Sequence, residues 1–347
     1  MELASITERT FLIDPAGNRT EQEIEQRIDP LTGTVASVNL ALGEKAKAFL
    51  GTADVEMLRD FETRSKAGCP FCSAKEKGTR FLPDLVEEGQ LSVGKALALP
   101  NLFSKCRYDS VVIVDPSRHV LFPSQLSREA LGDAIRTCAD LARRTRAQDA
   151  SLVHHLAGMN FLQPGGSSVP HPHLQMHVRT VPFSGVARVV QRSAEYSRVQ
   201  GRNFWVELLE QERRDGARYI GSTDPVEWIA AFAPAHQKEI WGVLPGVGSL
   251  IELDDRAAAS FAEGLSRILS FYEKSGVHPF TFALFSSPDA GSGQFYSLHL
   301  RICARPPFKS LYSNYDSWFG PKLVGDEAHT EPPERYAEQL RSAWSGR

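Results

Sequence analysis

Residues able to do chemistry concentrate in one stretch, Gly165-Gly166-Ser167-Ser168-Val169-Pro170-His171-Pro172-His173-Leu174-Gln175. Two imidazoles and a carboxamide stand at positions i, i+2 and i+4, directly after a loop of small residues. If 171–179 is a strand, its two-residue period sends His171, His173, Gln175 and His177 to one face. Neutral imidazole nitrogens beside an amide, next to a loop whose backbone can approach closely, suit attack on a phosphorus atom. The alternatives for such a run are a His-rich edge strand or an adventitious metal site.

Cys69-Pro70-Phe71-Cys72 offers two thiolates at zinc-knuckle spacing, and no second Cys pair accompanies it. Two further ligands must come from elsewhere. His119, in Asp115-Pro116-Ser117-Arg118-His119, and His171 would complete a closed Cys2His2 tetrahedron of the structural kind. Such a site would tie the start of the histidine strand to two remote segments. The alternative is a pair of buried turn thiols and a surface histidine. Cys106, Cys138 and Cys303 are scattered and read as apolar packing residues.

The elements that must position these groups come in two rounds. In the first, Lys95–Leu99 and Ser110–Val114 read as strands, followed by a helix from Ser127 to about Arg144. A strand over Ala150–Ala157, the Gly/Ser loop and the histidine strand complete it. In the second, strands at Trp228–Phe232 and Ile240–Leu244 precede a long helix over Asp254–Ser275. A strand at Phe280–Ser286, a Ser/Gly loop and a strand at Phe295–Ala304 follow. The closing strands resemble each other, with Leu174-Gln175-Met176-His177 set against Leu298-His299-Leu300-Arg301. The reading is a diverged internal duplication in an α+β fold, each unit an antiparallel sheet with one packed long helix. Only the first copy carries the histidine motif, so residues 1–195 form the catalytic half and 196–347 a degenerate one. Neither Gly-x-Gly-x-x-Gly nor Gly-x-x-x-x-Gly-Lys-[Ser/Thr] occurs, which argues against Rossmann and P-loop nucleotide sites.

The chain has 347 residues, 42% hydrophobic and 23% charged, with a net charge of −3. That balance suits a globular protein and argues against nucleic acid or an anionic membrane as partner. Phosphate binding must therefore be local. No apolar run reaches membrane-spanning length and Met1–Arg9 lacks the regions of a signal peptide, so a cytoplasmic protein is expected.

Taken in order, Asp29-Pro30-Leu31-Thr32-Gly33, Cys69-Pro70-Phe71-Cys72, Asn101-Leu102-Phe103, the His119 segment and Pro170-His171-Pro172-His173-Leu174-Gln175 resemble the galactose-1-phosphate uridylyltransferase family of the histidine triad superfamily. Glu212 to Arg218, Pro234 and Trp241-Gly242-Val243-Leu244-Pro245 extend the resemblance to most of the chain. It implies HIT-like units and a covalent nucleotidyl-His173 formed from a nucleotide sugar, with the nucleoside monophosphate passed on to a second phosphate. Gln175 would hold a phosphoryl oxygen. Asn101, Gln163, Gly166, Ser167 and Ser168 would contact substrate, and Cys69, Cys72, His119 and His171 would bind one structural zinc. A homodimer is implied as well, for which Trp318 and Trp344 offer apolar area.

Departures from the family accompany the match. Its arginine-rich phosphate-binding segment is replaced by Asn39-Leu40-Ala41-Leu42-Gly43-Glu44-Lys45-Ala46-Lys47, where Lys45 or Lys47 could stand in. A second metal site of some members is reduced to His299 with Arg301 and Phe285 near it, so no iron is expected. The leading expectation is a nucleotidyltransferase acting on a nucleoside-diphosphate sugar and a sugar 1-phosphate, with UDP-hexose as the default. The rivals are a phosphorylase that uses inorganic phosphate on an ADP-sugar or dinucleoside polyphosphate, and a non-catalytic nucleotide-binding protein.

Overall fold

A computed structural model describes residues 1–43, 52–310 and 314–344. Strands β1 (Ser5–Ile13), β2 (Arg19–Ile28) and β3 (Val35–Val38) come first. Then follow β4 (Leu91–Val93), β5 (Ala96–Pro100), β6 (Tyr108–Ile113), β7 (His154–Phe161) and β8 (His173–Arg179). The later strands are β9 (Tyr219–Ser222), β10 (Glu227–Ala230), β11 (Ile240–Leu244), β12 (Phe280–Phe285), β13 (Leu298–Ala304) and β14 (Glu327–His329).

Ten of them make one antiparallel sheet in the order β4-β5-β6-β8-β7-β12-β13-β11-β10-β9. The first five and the last five repeat one order outward from a central seam. There β7 pairs with β12 from Leu156↔Phe285 to Phe161↔Phe280. Phe161 and Phe280 stack across it with centroids 4.7 Å apart, a contact worth about 0.5–1.5 kcal/mol beyond the area it buries. The expected antiparallel units with one long helix each are therefore present, fused edge to edge.

Each long helix starts where its cap dictates. Ser127 accepts from the Ala130 amide and opens Arg128–Gln148, while Asp254 accepts from Ala257 and opens Asp255–Lys274. The two helices pack together on one face of the sheet, where Gly132 brings their backbones close enough for an added Cβ to touch Ala262. Beneath them lie the core-facing residues of the central strands: Leu174, Met176 and Val178, Ala157 and Met159, Phe282 and Leu284, Leu300 and Ile302. Gly264 makes room for Trp228, whose ring would lie 2.1 Å from a Cβ at that position.

Several expected boundaries shift, two of them beside the candidate site. The strand expected over Ala150–Ala157 starts at His154, because the Asp149 carboxylate captures the Ser151 amide and hydroxyl in a turn. The histidine strand starts at His173, since Pro170 and Pro172 have no N–H to give a ladder.

Among the described residues, helices and packed apolar side chains cover the opposite face at its two ends. Helices Ser184–Gln200 and Phe204–Asp215 cover β10 and β11 through Val189, Phe204, Trp205 and Leu208. Phe71 and Ala74 cover β5 and β6. Between these caps, Gln175, Gly158, Asn160, Thr281, Ala283 and Arg301 remain half-buried, lining a trough across β8, β7, β12 and β13.

A second sheet, ordered β1-β2-β3-β14, holds the N-terminal hairpin, and β1 is exposed along its whole length. Its base is tied down by Arg27, which pairs with Glu25 and Glu334, and by Arg218, which pairs with Glu334 and Glu212. Phe232 lies under both guanidinium groups. Among the described residues, no helix is long and apolar enough to cross a membrane.

Candidate active site and metal centre

The four expected metal ligands meet. One donor atom from each of Cys69, Cys72, His119 and His171 lies within 4.8 Å of every other. His171 Nδ1 is 3.6 Å from Cys69 Sγ and 3.4 Å from Cys72 Sγ, and His119 Nδ1 is 3.6 Å from Cys72 Sγ. Tetrahedral zinc with its ordinary Zn–S and Zn–N bonds separates neighbouring sulfur and nitrogen ligands by about 3.6 Å. The outer contacts fit too. His171 Nε2–H donates to the Asp115 carbonyl (3.0 Å) and His119 Nε2 meets Ser65 Oγ (2.9 Å), which leaves both Nδ1 lone pairs facing the cluster. Burial and the neighbouring Cys69 push the Cys72 thiol up to about 11, so a bound cation is what would make it a thiolate at neutral pH.

Period-2 geometry then places the reactive face. His173, Gln175 and His177 point away from the helical core, opposite Ile113, Val111 and Asp109 of β6. His173 Nδ1–H donates to the His171 carbonyl (2.8 Å), which fixes the tautomer and leaves Nε2 with a lone pair. Burial lowers the pKa of His173, outweighing that hydrogen bond, so the ring is neutral near pH 7. The Phe71 ring abuts it edge-on, with centroids 4.9 Å apart, so the loop between the two cysteines also restrains His173. Among the described residues, no side chain or backbone group bonds the Gln175 carboxamide. Its cross-strand neighbour on β7 is Gly158, which has no side chain to offer it a partner and lies so close to β12 that an added Cβ would sit 2.6 Å from the Phe282 oxygen.

The Gly/Ser loop closes one end of the trough. Gly166, at φ +92°, makes the left-handed turn that returns the chain from β7 to β8. Ser167 Oγ donates to the Val169 carbonyl (2.6 Å), whereas Gln163, Gly166 and Ser168 are exposed. The loop is held from the other half of the chain. Thr281 Oγ1 donates to the Gly165 carbonyl (3.0 Å), and Gly165 lies so close to β12 that an added Cβ would sit 2.7 Å from the Phe280 oxygen. Asn101 lies further off, in the loop before β6. Its carboxamide donates to Asp109 (3.1 Å) and accepts from the Phe103 amide (3.1 Å). Lys45 lies outside the described residues, as does Lys47.

Sequence reasoning missed Asn160 and Thr281. Alternation in β7 could have flagged Asn160, which faces outward between His173 and Thr281. Nothing local marks Thr281. The correspondence of the closing strands also shifts. His299 repeats the His173 hydrogen bond, Nδ1 to the carbonyl two residues back (2.9 Å to Ser297), so it matches His173 and not Gln175. Arg301 then stands where Gln175 does. His299 is sealed by Trp205, stacked at 4.0 Å, and by Phe285. Trp344, expected to offer contact area, is buried against Trp228 with centroids 6.0 Å apart, while Trp318 stays exposed beside Phe319.

Set beside solved structures, this architecture matches an ADP-glucose phosphorylase from Arabidopsis thaliana with bound ADP-glucose (TM-score 0.68, 18% identity, 92% of this chain and 98% of that one). A uridylyltransferase mutant gives a TM-score of 0.65 at 19% identity, with 92% and 98% covered. The fold is that of the galactose-1-phosphate uridylyltransferases. In sequence, an uncharacterized protein of Archaeoglobus fulgidus is 29% identical over 331 residues, 95% of each chain. No family model matches the sequence.

Proposed function

We propose that the protein is a nucleotidyltransferase working through a covalent nucleotidyl-His173. The observation that carries this reading is the free His173 Nε2: with Nδ1–H given to the His171 carbonyl, the ring presents a neutral nucleophile on the trough side. Nε2 attacks the α-phosphorus of a nucleoside-diphosphate sugar, and the bond from that phosphorus to the bridging oxygen breaks, releasing a sugar 1-phosphate. An acceptor phosphate oxygen then attacks the same phosphorus and the P–N bond breaks, returning the imidazole.

Gln175 would donate its N–H to a non-bridging oxygen as charge builds there, supplying no proton. Ser168, exposed at the tip of the loop, would meet the neighbouring phosphate through its hydroxyl. Cys69, Cys72, His119 and His171 would hold zinc, which when bound braces the start of β8. An assembly of two chains with equivalent sites accords with this reading.

The acceptor divides two versions. A sugar 1-phosphate makes the enzyme a hexose-1-phosphate uridylyltransferase in kind, whereas inorganic phosphate makes it a phosphorylase. The second is favoured by Asn39-Leu40-Ala41-Leu42, which replaces the family's arginine-rich segment, and by the likeness to the ADP-glucose phosphorylase.

The test is to mix the protein with UDP-, ADP-, GDP- and TDP-sugars without acceptor and weigh it intact. One of them should add the mass of a single nucleoside monophosphate, at His173. Adding inorganic phosphate should then release a nucleoside diphosphate, or adding a sugar 1-phosphate should release a new nucleotide sugar. An adduct that survives His173→Ala, or none with any donor, sinks the proposal.

A further inference from the structure

The same sheet face carries a second charged recess, which the proposed reaction at His173 does not use. Beyond the seam, β12 and β13 floor a cavity of about 360 Å³, a size ordinary for small-molecule sites. Its walls come from the loop before β11 (Ala235, His236, Glu239) and from the segment Asp316–Lys322.

Arg301 lines the cavity. The guanidinium lies between two aromatic rings, 4.3 Å from the Trp241 centroid and 4.5 Å from that of Phe285. Its Nε–H donates to His299 Nε2 at 3.2 Å. That ring cannot offset the charge, because its other nitrogen gives a proton to the Ser297 carbonyl and burial keeps it neutral.

The carboxylates of the cavity are spoken for. Asp316 pairs with Arg305. Glu239 accepts from the Trp241 indole and from the amides of Ala235 and His236. Among the described residues, no carboxylate pairs with Arg301. A half-buried guanidinium held in a fixed plane, weakly hydrated and without a counter-ion, is suited to receive an anion from outside. The two terminal nitrogens, with Lys322 at the rim, leave a forked donor set open to the cavity.

We infer that this cavity is an anion site, taking a phosphate or carboxylate group bidentately on Arg301. The hydrogen-bonded row Gln175–Gly158–Ala283–Arg301 crosses the sheet in three inter-strand steps, or about 14 Å. The site therefore takes the far end of a ligand with two anionic groups, or a separate anion. It is read by binding alone, so it can fail while nucleotidylation of His173 stands, and the reverse.

The experiment is calorimetric titration of the full chain with inorganic phosphate and, separately, with glucuronate. Saturable binding of at least one is expected, retained in His173→Asn and weakened about tenfold or more in Arg301→Gln. Tighter phosphate assigns a phosphate-bearing ligand end, and tighter glucuronate a sugar acid. Arg301→Lys keeps a cation over the same rings but loses the fork. It should bind several-fold more weakly than wild type, and it answers the question if Arg301→Gln does not fold. No saturable binding of either anion to the wild-type protein overturns the inference. So does undiminished affinity in Arg301→Gln or Arg301→Lys.

Discussion

Replacing Thr281 with valine tests whether the second half of the chain positions the reacting phosphate. Valine matches threonine in shape but removes the hydroxyl that donates to the Gly165 carbonyl at 3.0 Å. The same hydroxyl accepts from Arg305 at 3.4 Å. Gly165 is buried, so its carbonyl is left without that partner, at a cost of about 1–3 kcal/mol. With an unfolding entropy of about 2.1 cal/mol/K per residue, the whole chain should lose about 1.5–4 °C in melting temperature. The effect on chemistry should be larger. The Gly/Ser loop is tethered to β12 beside His173, and a drift of about 1 Å in a positioning group can cost about 10²-fold. The assay is the time course of the His173 adduct by intact mass, with the nucleotide sugar that labels the wild type. Thr281→Val should slow it about ten- to a hundredfold with zinc content unchanged, and Thr281→Ser should restore most of the rate. If Thr281→Val melts lower yet labels within about twofold of wild type, the tether is structural and the argument fails.

Three other expectations follow from separate parts of the molecule. Elemental analysis should find about one zinc and little iron per chain; Cys72→Ser should lose the zinc and the soluble yield together, and a zinc-free protein of full stability would refute the assignment. Burial pushes His155 and His329 down to about 4, so the unfolded chain binds protons that the folded one refuses between about pH 6.5 and 4. Stability is thus complete above about pH 6.5 and falls through that window, by on the order of 3 kcal/mol per group. Melting curves should follow it, and His155→Leu should flatten the slope; a flat profile counts against the argument. Gly264→Ala would drive a Cβ to 2.1 Å from the buried Trp228 ring, an overlap that should cost about 3 kcal/mol or more, visible as a shifted urea midpoint; an unchanged midpoint would show that Trp228 can move.

What could be read from the residues alone was whatever local rules govern. Ser127 and Asp254 announce their helices, and alternation from His173 onward sets the reactive face. The Cys-x-x-Cys spacing offered two thiolates, the resemblance added His119 and His171, and the four groups do meet. The N-terminal hairpin went unread because β1 buries nothing, so no apolar alternation marks it. Helices Ser184–Gln200 and Phe204–Asp215 were missed although Asn203 caps the second by accepting from the Trp205 amide. The trough lay beyond reach for a different reason. Asn160, Thr281 and Arg301 join His173 only through the register of β7 against β12, which is set by packing between residues more than a hundred positions apart.

That seam also orders events in time. At about 5–20 residues per second, roughly 6–23 s of synthesis separates Gly165 from the Thr281 that secures it. Until then β7 presents an open edge, with unpaired amides and carbonyls and Phe161 beside them. The nascent first half therefore holds its nucleophile and metal ligands while its phosphate loop is unanchored and its edge is free to pair with another chain. Competence arrives late, with the arrival of β12, and a ribosome that stalls between the two leaves an adhesive fragment in place of a slow enzyme.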